Sequence, residues 1–554
     1  MSKDLSAPLQ KGALRPWHHA WPPYLPTSLA YPNVPIWWIL EKNLNRFSDR
    51  IAIRFLDHES LVEKQSLTYA CVVSQARSLA VGLQRLGVSK GDRVAIYLQN
   101  SPQLIVSFYA IWRAGGVVVP CNPMFKEEEL VHQLRDAAAG LLIASAANAA
   151  SASSVARQMD IPLILTAGGD LLPAKGAVRF EDLLAEDSRN LHEVTINPRE
   201  DLALLLYTGG TTGAPKGAML THQNIVVNTV QFGEWYAFDP GQETCVSVIP
   251  MFHSGGMAGV MNVPLYGGAT LLVMSRFNPV SVARAVEDYR ATRLFGVPTM
   301  FIALLNSEDA RRSDFSSLKA CRTNAAPLPA SVKAAFDELV GHEVLIEGYG
   351  LTETSPLTHA NPLHRAKAGS IGVPLPDTDA KIVDMKTRKD LPAGENGEIL
   401  IRGPQVMKGY WQRPEETEAA MKDGWFHTGD VGIMDTEGYF AVVDRVKDVI
   451  NTAGYKVWPR EVEEVIYTHP AVRLVAVVGA DDAYRGEVVK AFVVPKEGYR
   501  DTLSQEAIVR LCKERLAAYK IPRIVEFKDE LPVSGAGKVL RRVLRERTGA
   551  GPKE

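Results

Sequence analysis

The sequence lacks any run of eighteen or more apolar residues, so no membrane-spanning helix is expected. It also lacks an excess of either charge. Its 61 Lys+Arg against 63 Asp+Glu leave a net charge of −2, without the basic footprint of a nucleic-acid binder. Cysteine is scarce: Cys71, Cys121, Cys245, Cys321 and Cys512 are scattered with no metal-type spacing, and they predict buried free thiols in a reducing compartment. Residues Met1 to Arg15 carry no continuous apolar segment of the secretory type, and the final Gly-Pro-Lys-Glu is neither a prenylation box nor a peroxisomal address. A cytoplasmic protein is expected. Neither an internal repeat nor a low-complexity block is visible. What is present is a chain of 554 residues, 46% apolar, too long for one core and too apolar to be disordered.

One loop stands out. Tyr207-Thr208-Gly209-Gly210-Thr211-Thr212-Gly213-Ala214-Pro215-Lys216-Gly217 gathers four glycines, three threonines and a lysine after the apolar run Leu202 to Leu206. Glycines let successive backbone N–H groups converge on an anion, threonine hydroxyls add donors, and lysine adds a point charge. The pattern predicts a phosphate cradle. It is not the P-loop, which needs Gly-Lys-Ser/Thr opening a helix. Here the helix is expected later, near His222 to Tyr236, with Thr221 as its cap.

Around the cradle the chain alternates helix and strand. Val72 to Leu86, Pro102 to Ala114 and Val280 to Tyr289 read as helices, and Val94 to Leu98, Val117 to Val119, Leu271 to Met274 and Arg293 to Val297 as strands. Residues 1–35 read as an extended arm on the surface, and Ala138 to Ala156 as a solvent-facing helix or loop. After Val383, short Gly- and Pro-rich segments predict a β subdomain. A second break near Asp444 opens about a hundred residues with their own pattern: Pro459 to Tyr467 and Ser504 to Leu516 as helices, Val472 to Val478 and Val488 to Val494 as strands. The expected fold is α/β: a large N-terminal domain of helix-covered, mainly parallel sheets plus a β subdomain (1–444), and a small α+β C-terminal domain (445–554).

Further segments carry chemistry-bearing side chains: His253 in Pro-Met-Phe-His-Ser-Gly-Gly, Tyr349, Gly350, Thr352 and Glu353 in Tyr-Gly-Leu-Thr-Glu, and Asp430 in Thr-Gly-Asp. The charged run Asp444 to Asp448, Gly454-Tyr455 before a helix, and Lys538 in Gly-Ala-Gly-Lys complete the set. Tyr349 could stack on a purine, Thr352 bond a phosphate, and Glu353 hold Mg²⁺, a hard ion that prefers oxygen. Asp430 could accept both hydroxyls of a ribose. Read singly, each also has a plainer meaning: a loop histidine, a capped helix start, an Asx turn, a solvated linker, a turn glycine, an exposed lysine.

Taken together and in this order, the motifs resemble the adenylate-forming enzymes, a family of acyl-CoA synthetases, nonribosomal-peptide adenylation domains and luciferases. The resemblance runs from about Trp37 to Arg545. Ala114 to Pro123, Tyr207 to His222 and Gly454 to Glu464 are most similar to medium- and long-chain fatty acyl-CoA ligases. The resemblance implies a two-step reaction: carboxylate and MgATP give acyl-AMP and pyrophosphate, and CoA then gives the thioester and AMP. It implies that Thr208, Gly209, Gly210, Thr211, Thr212, Gly213 and Lys216 hold the β and γ phosphates, and that Asn324, Ala325, Ala326, Tyr349 and Gly350 surround adenine. Thr352 would touch the α-phosphate, Glu353 the magnesium, and Asp430 and Arg445 the ribose. Lys538 would bridge the carboxylate and ester oxygens. A mobile C-terminal domain would turn about Lys447, bringing Gly454 and Tyr455 toward the thiol path, and His253 would line the acyl side and gate the thiol. Trp235 would either border an acyl tunnel or sit in the core. The family usually has glycine or serine where this chain has Thr323-Asn324, which leaves aryl, alicyclic and branched acids open beside a fatty acid. Loading of a carrier protein instead of CoA, peripheral membrane contact, a homodimer, and a nucleotide-sensing binding module also stay open.

Overall fold

The computed structural model describes residues 15–166, 176–208, 215–445, 448–452, 455–482, 484–534 and 537–546. Two large sheets dominate them. A nine-stranded sheet is parallel across its middle, from Ile51–Leu56 through Thr270–Met274, Thr244–Ser247, Arg293–Gly296 and Ala320–Thr323 to Leu345–Gly350, with antiparallel strands at both edges. An eight-stranded sheet pairs Arg93–Tyr97 in parallel with Val117–Pro120 and Ala139–Ala144, and Val117–Pro120 with Leu202–Thr208. One apolar core joins the two. It contains Ile53, Leu271 and Val273 from the first sheet, Val94, Ile96 and Leu204 from the second, and side chains of the intervening helices Tyr69–Arg85 and Pro102–Arg113.

Local chemistry sets the element ends. Thr68 Oγ1 accepts from the Cys71 amide at 3.2 Å and starts one helix, and Ser101 Oγ accepts from Leu104 at 3.2 Å ahead of a proline at the first turn of the other. Thr221 caps the helix His222–Trp235 as expected: its hydroxyl accepts from Asn224 N, and Asn224 Oδ1 accepts from Thr221 N. Beyond Val383 an antiparallel sheet of Asp379–Val383, Gly397–Arg402, Trp425–Met434, Met421–Lys422 and Phe440–Arg445 forms the expected β subdomain. The C-terminal unit has its own sheet and its own core, in which Val462 and Ile466 of the helix Pro459–Tyr467 pack on Val475, Val477 and Val493.

Three readings need correction, and one left open is decided. Ala139–Ala144 is a buried parallel strand rather than a solvent-facing segment, and the helix Ala149–Met159 behind it buries Ala152, Val155 and Ala156. Alanine carries too little hydrophobic signal to show which face turns inward. The N-terminal arm is not simply superficial: Trp17 and Ala20 are buried, and Trp17 meets the edge of Phe440. Of the two readings left open for Trp235, the core is the one found. Trp235 is fully buried, donates to the Asn361 carbonyl at 3.3 Å and packs edge-on against Trp21. Of the cysteines, Cys71 is exposed and the other four are buried.

Candidate active site

The cradle's flanks form a hairpin in which Thr208 pairs with Lys216 and Tyr207 with Gly217. Residues Gly209, Gly210, Thr211, Thr212 and Gly213 lie outside the described residues. The short strand Gly409–Tyr410 pairs antiparallel with Lys216–Thr221, and the Trp411 amide donates to the Gly217 carbonyl at 2.8 Å. This brings in Tyr410, which sequence reasoning missed. The Lys216 ammonium stands 5.4 Å from the centroid of its ring, and its hydroxyl donates to Glu353 Oε1 at 2.8 Å. Lys216 and Glu353 are thereby tied to one aromatic spacer. The only signal in the sequence was a tyrosine in a Gly-rich run, which carries no distinctive spacing.

Glu353 sits in a short turn, Thr352–Thr354, after the strand Leu345–Gly350. It is 9% exposed, and burial raises its pKa while the Tyr410 hydroxyl opposes that shift. A buried carboxylate held by one hydroxyl is a hard-oxygen donor whose charge calls for a cation, so the side chain fits Mg²⁺. Thr352 Oγ1 lies 3.4 Å from Ser254 Oγ, which joins this turn to the His253 segment. Gly350 has a steric reason of its own: a Cβ there would meet the Pro356 carbonyl oxygen at 2.0 Å.

The strand Leu345–Gly350 also delivers Tyr349, whose hydroxyl donates to Asp430 Oδ2 at 2.5 Å. Asp430 and Arg445 face each other in register across the hairpin of Trp425–Met434 and Phe440–Arg445, and Arg445 Nε is 3.2 Å from Asp430 Oδ1. Asp430 is 3% exposed. Lys538 belongs to the same electrostatic group. Its pKa is pushed down to about 8, first by the neighbouring Arg445 guanidinium and then by burial, with Asp430 pulling the other way. The loop carrying Lys538 is docked: Thr299 Oγ1 donates to the Gly537 carbonyl at 3.1 Å, and Ser534 Oγ accepts from the Lys538 amide at 3.2 Å. Asn324, Ala325 and Ala326 follow the strand Ala320–Thr323; Ala325 has φ +73°, and Asn324 Oδ1 is buried without a partner among the described residues.

His253 stacks at a tilt on Phe252, 4.5 Å between ring centroids, and its Nε2 is buried without a partner among the described residues. Burial depresses its pKa to about 4, so the imidazole is neutral at physiological pH. Tyr455 stands apart: it is exposed and stacks on Tyr519 of the C-terminal unit at 4.8 Å. Lys447 and Gly454 lie outside the described residues.

Asp444 was expected as part of a charged run and proves to be buried. Its Oδ1 accepts from the Arg445 amide at 2.8 Å and from Arg541 Nη1 at 3.1 Å, and its Oδ2 accepts from the Arg460 amide at 3.1 Å. Arg541 in turn donates to Glu463 Oε2 at 2.6 Å. This network connects the end of the β subdomain to the segment that carries Lys538.

Residues 40–411 match the model of the AMP-binding enzyme family, and residues 461–538 match that of the AMP-binding enzyme C-terminal domain. The chain belongs to the AMP-binding enzyme family. It is 40% identical to a long-chain-fatty-acid–CoA ligase of Bacillus subtilis (strain 168), over 96% of this chain and 98% of that one. Among solved structures it is similar to ATP-bound MatB from Rhodopseudomonas palustris (TM-score 0.83, 31% identity, covering 93% of this chain and 99% of that one). It is likewise similar to the anthranilate CoA ligase AuaEII in complex with anthranoyl-AMP (TM-score 0.85, 28% identity, 95% and 98% covered). In this family member, then, an α/β body with paired sheets carries an AMP-binding site, and no described helix is long and apolar enough to cross a membrane.

Proposed function

We propose that this enzyme is an ATP-dependent carboxylic acid–CoA ligase, acting on a fatty acid of medium or long chain through an acyl-AMP. The observation that carries the reading is the convergence of Lys538 on the Asp430–Arg445–Tyr349 group, from a loop 108 residues beyond Asp430 in the chain. A carboxylate expels hydroxide far too slowly to acylate a thiol. Joining it to AMP makes a leaving group, and the requirement then is to position two anions and neutralise the charge that builds between them.

The residues divide that work. Thr208 and Lys216, with the intervening glycines and threonines, grip the β and γ phosphates. Tyr349 and the Asn324–Ala326 loop flank adenine, Asp430 accepts the ribose hydroxyls, and Arg445 orients Asp430. Thr352 donates to the α-phosphate. Lys538 brings a proton-bearing ammonium to the attacking carboxylate and the ester oxygens. Glu353 would hold Mg²⁺, which when bound neutralises phosphate oxygens. For the second half-reaction the C-terminal domain, beginning at residue 445, turns about Lys447, withdraws Lys538 and presents Gly454 and Tyr455 to the thiol. The neutral His253 lines the acyl side. The reaction draws on cytoplasmic ATP and CoA.

Incubating the enzyme with ATP, CoA and acids of graded length, with alicyclic and aryl acids alongside, and measuring AMP release tests the reading. Turnover of holo-carrier protein with no turnover of CoA would replace it, and absence of pyrophosphate exchange with every acid would remove it. Aryl acids belong in the set because the structural relative AuaEII is named for one.

Two smaller effects follow. Tyr410→Phe removes the hydroxyl that fixes Glu353, and the Mg²⁺ concentration for half-maximal pyrophosphate exchange should rise by about 10-fold, with little change in melting temperature. An unchanged Mg²⁺ titration would dissociate Tyr410 from the metal. Gly454→Trp should preserve pyrophosphate exchange and abolish CoA product; intact thioester formation in that variant would take the glycine out of the thiol path.

A further inference from the structure

Arg322 is a buried cation that no carboxylate among the described residues answers. It lies on the strand Ala320–Thr323 and is 5% exposed, and its Nε and Nη1 have no hydrogen-bond partner among the described residues. Arg293, on the adjacent strand and in register with Ala320, shows the ordinary solution, an ion pair with Glu243 at 2.8 Å. Arg322 has aromatic faces instead. Its guanidinium carbon is 3.5 Å from the ring centroid of Phe232, 4.1 Å from Phe295 and 5.0 Å from Tyr236. Such faces offset part of the charge but do not accept the in-plane N–H groups, and a buried charged donor without an acceptor is costly.

The surroundings look built for an acceptor to arrive. The Tyr236 hydroxyl, at the end of the helix His222–Trp235, is buried, makes no hydrogen bond of normal geometry among the described residues, and faces the Arg322 guanidinium, with which it interacts. Two residues beyond Arg322, just past the end of the strand, Asn324 Oδ1 is buried without a partner among the described residues. Gly259 lies in the π-helical turn Met257–Asn262, and a Cβ there would stand 3.0 Å from Arg322 Nη2 and collide with Phe295. π-helical turns recur at functional sites, and this one follows directly from the His253 segment. Arg322 and Tyr236 therefore sit between the segment placed on the acyl side and the loop placed beside adenine.

We infer that Arg322 and Tyr236 read an oxygen on the tail of the acid, so that the substrate class is a carboxylic acid bearing a second hydrogen-bond-accepting group, a carboxylate or a ketone, remote from the carboxylate that is activated. The inference rests on the ligase reading above and narrows it. A plain alkyl tail would leave the guanidinium unpaired and shut it further from water. A carboxylate can engage two of its N–H groups at once, and a ketone one of them together with the Tyr236 hydroxyl.

The test compares AMP release, with CoA present, for length-matched sets: decanoic, decanedioic and 9-oxodecanoic acids, and hexadecanoic with hexadecanedioic acid. The wild-type enzyme should favour an oxygenated member by at least about 10-fold in kcat/KM, because a site built to bond an oxygen rejects analogues lacking it. Arg322→Met should erase that ratio while retaining turnover of the plain acid, and Tyr236→Phe should reduce it in part. If Arg322→Met does not fold, Tyr236→Phe carries the comparison, since it removes only the hydroxyl that faces Arg322. A preference for the diacids over the oxo acid identifies an anion as the recognised group, and the reverse a neutral carbonyl. Equal or better use of plain acids, with a ratio unmoved by either variant, overturns the inference and leaves the ligase reading intact. If no acid is turned over, the ligase reading is what falls. Thermal stabilisation by decanedioate over decanoate, lost in Tyr236→Phe, then still reports on Arg322, and equal stabilisation by both overturns it.

Discussion

Replacing Lys538 by alanine should lower ATP–pyrophosphate exchange by about a hundred- to a thousand-fold while largely sparing thioester formation from supplied acyl-AMP. The magnitude is that of removing one preorganised donor aimed at developing charge in a site shielded from water. The selectivity follows from location. Lys538 belongs to the electrostatic group of Arg445 and Asp430 on a loop docked on Thr299, where the proposed function places the nucleotide. A parallel fall in both half-reactions would show that the lysine supports the fold instead. A pH signature distinguishes the two further. With a pKa of about 8 in the free enzyme, the lysine is about nine-tenths protonated at pH 7 and about one-tenth at pH 9. The exchange reaction needs the charged form, so its kcat/KM should fall as pH rises through 8. Lys538→Arg, charged throughout this range, should remove that alkaline limb whatever its absolute rate. His253, already neutral above about pH 4, contributes no limb between pH 5 and 9.

The second large effect is expected at Asp430. Asp430→Ala should reduce kcat/KM for ATP by about a hundred-fold, since it removes the acceptor proposed for the ribose and unties two groups that depend on it. The Tyr349 hydroxyl loses its 2.5 Å partner, and Arg445 loses the carboxylate that orients it. Arg445 is 37% exposed at the side chain, so water recovers part of its solvation, and the stability loss should stay near about 2 kcal/mol. Asp430→Asn tests the electrostatics without emptying the site. The amide can still accept from Tyr349, but it no longer pulls the Lys538 pKa upward. The alkaline limb of the exchange reaction should therefore move to lower pH. A limb that stays in place while ATP affinity falls would separate ribose recognition from the tuning of Lys538. Tyr349→Phe combined with Asp430→Asn should lose less than the sum of the single changes, because both act through one hydrogen bond.

Asp444 suggests how the arrangement is held. It anchors the end of the β subdomain to Arg541, three residues after Lys538, while Arg541 keeps its other partner, Glu463, on the C-terminal unit. In the proposed rotation about Lys447 the first contact would break and the second would be kept, so that the bond holding Lys538 in place would be the one given up.

Much of this was legible in the sequence. The alternation of apolar strands and amphipathic helices is a local property, and so are the caps: Thr221 before His222, Ser504 before Gln505, and a helix at Pro459–Tyr467 all follow from short-range chemistry. The cradle's composition predicts a phosphate loop on the same local grounds, since its glycines and hydroxyls lie within a few residues of one another. Alanine-rich 138–156 resisted, because methyl groups do not reveal which side faces the core. Tertiary structure decided what lies beyond local reach. Tyr410 meets Glu353 only because one edge strand pairs with Lys216–Thr221, and Asp430 meets Arg445 only through hairpin register. Arg322 looks like an ordinary strand residue until the fold closes Phe232, Tyr236 and Phe295 around it and supplies no acid among the described residues. Composition and periodicity depend on neighbours in the chain, whereas pKa, pairing and unmet hydrogen bonds depend on neighbours in space, and packing alone assigns those.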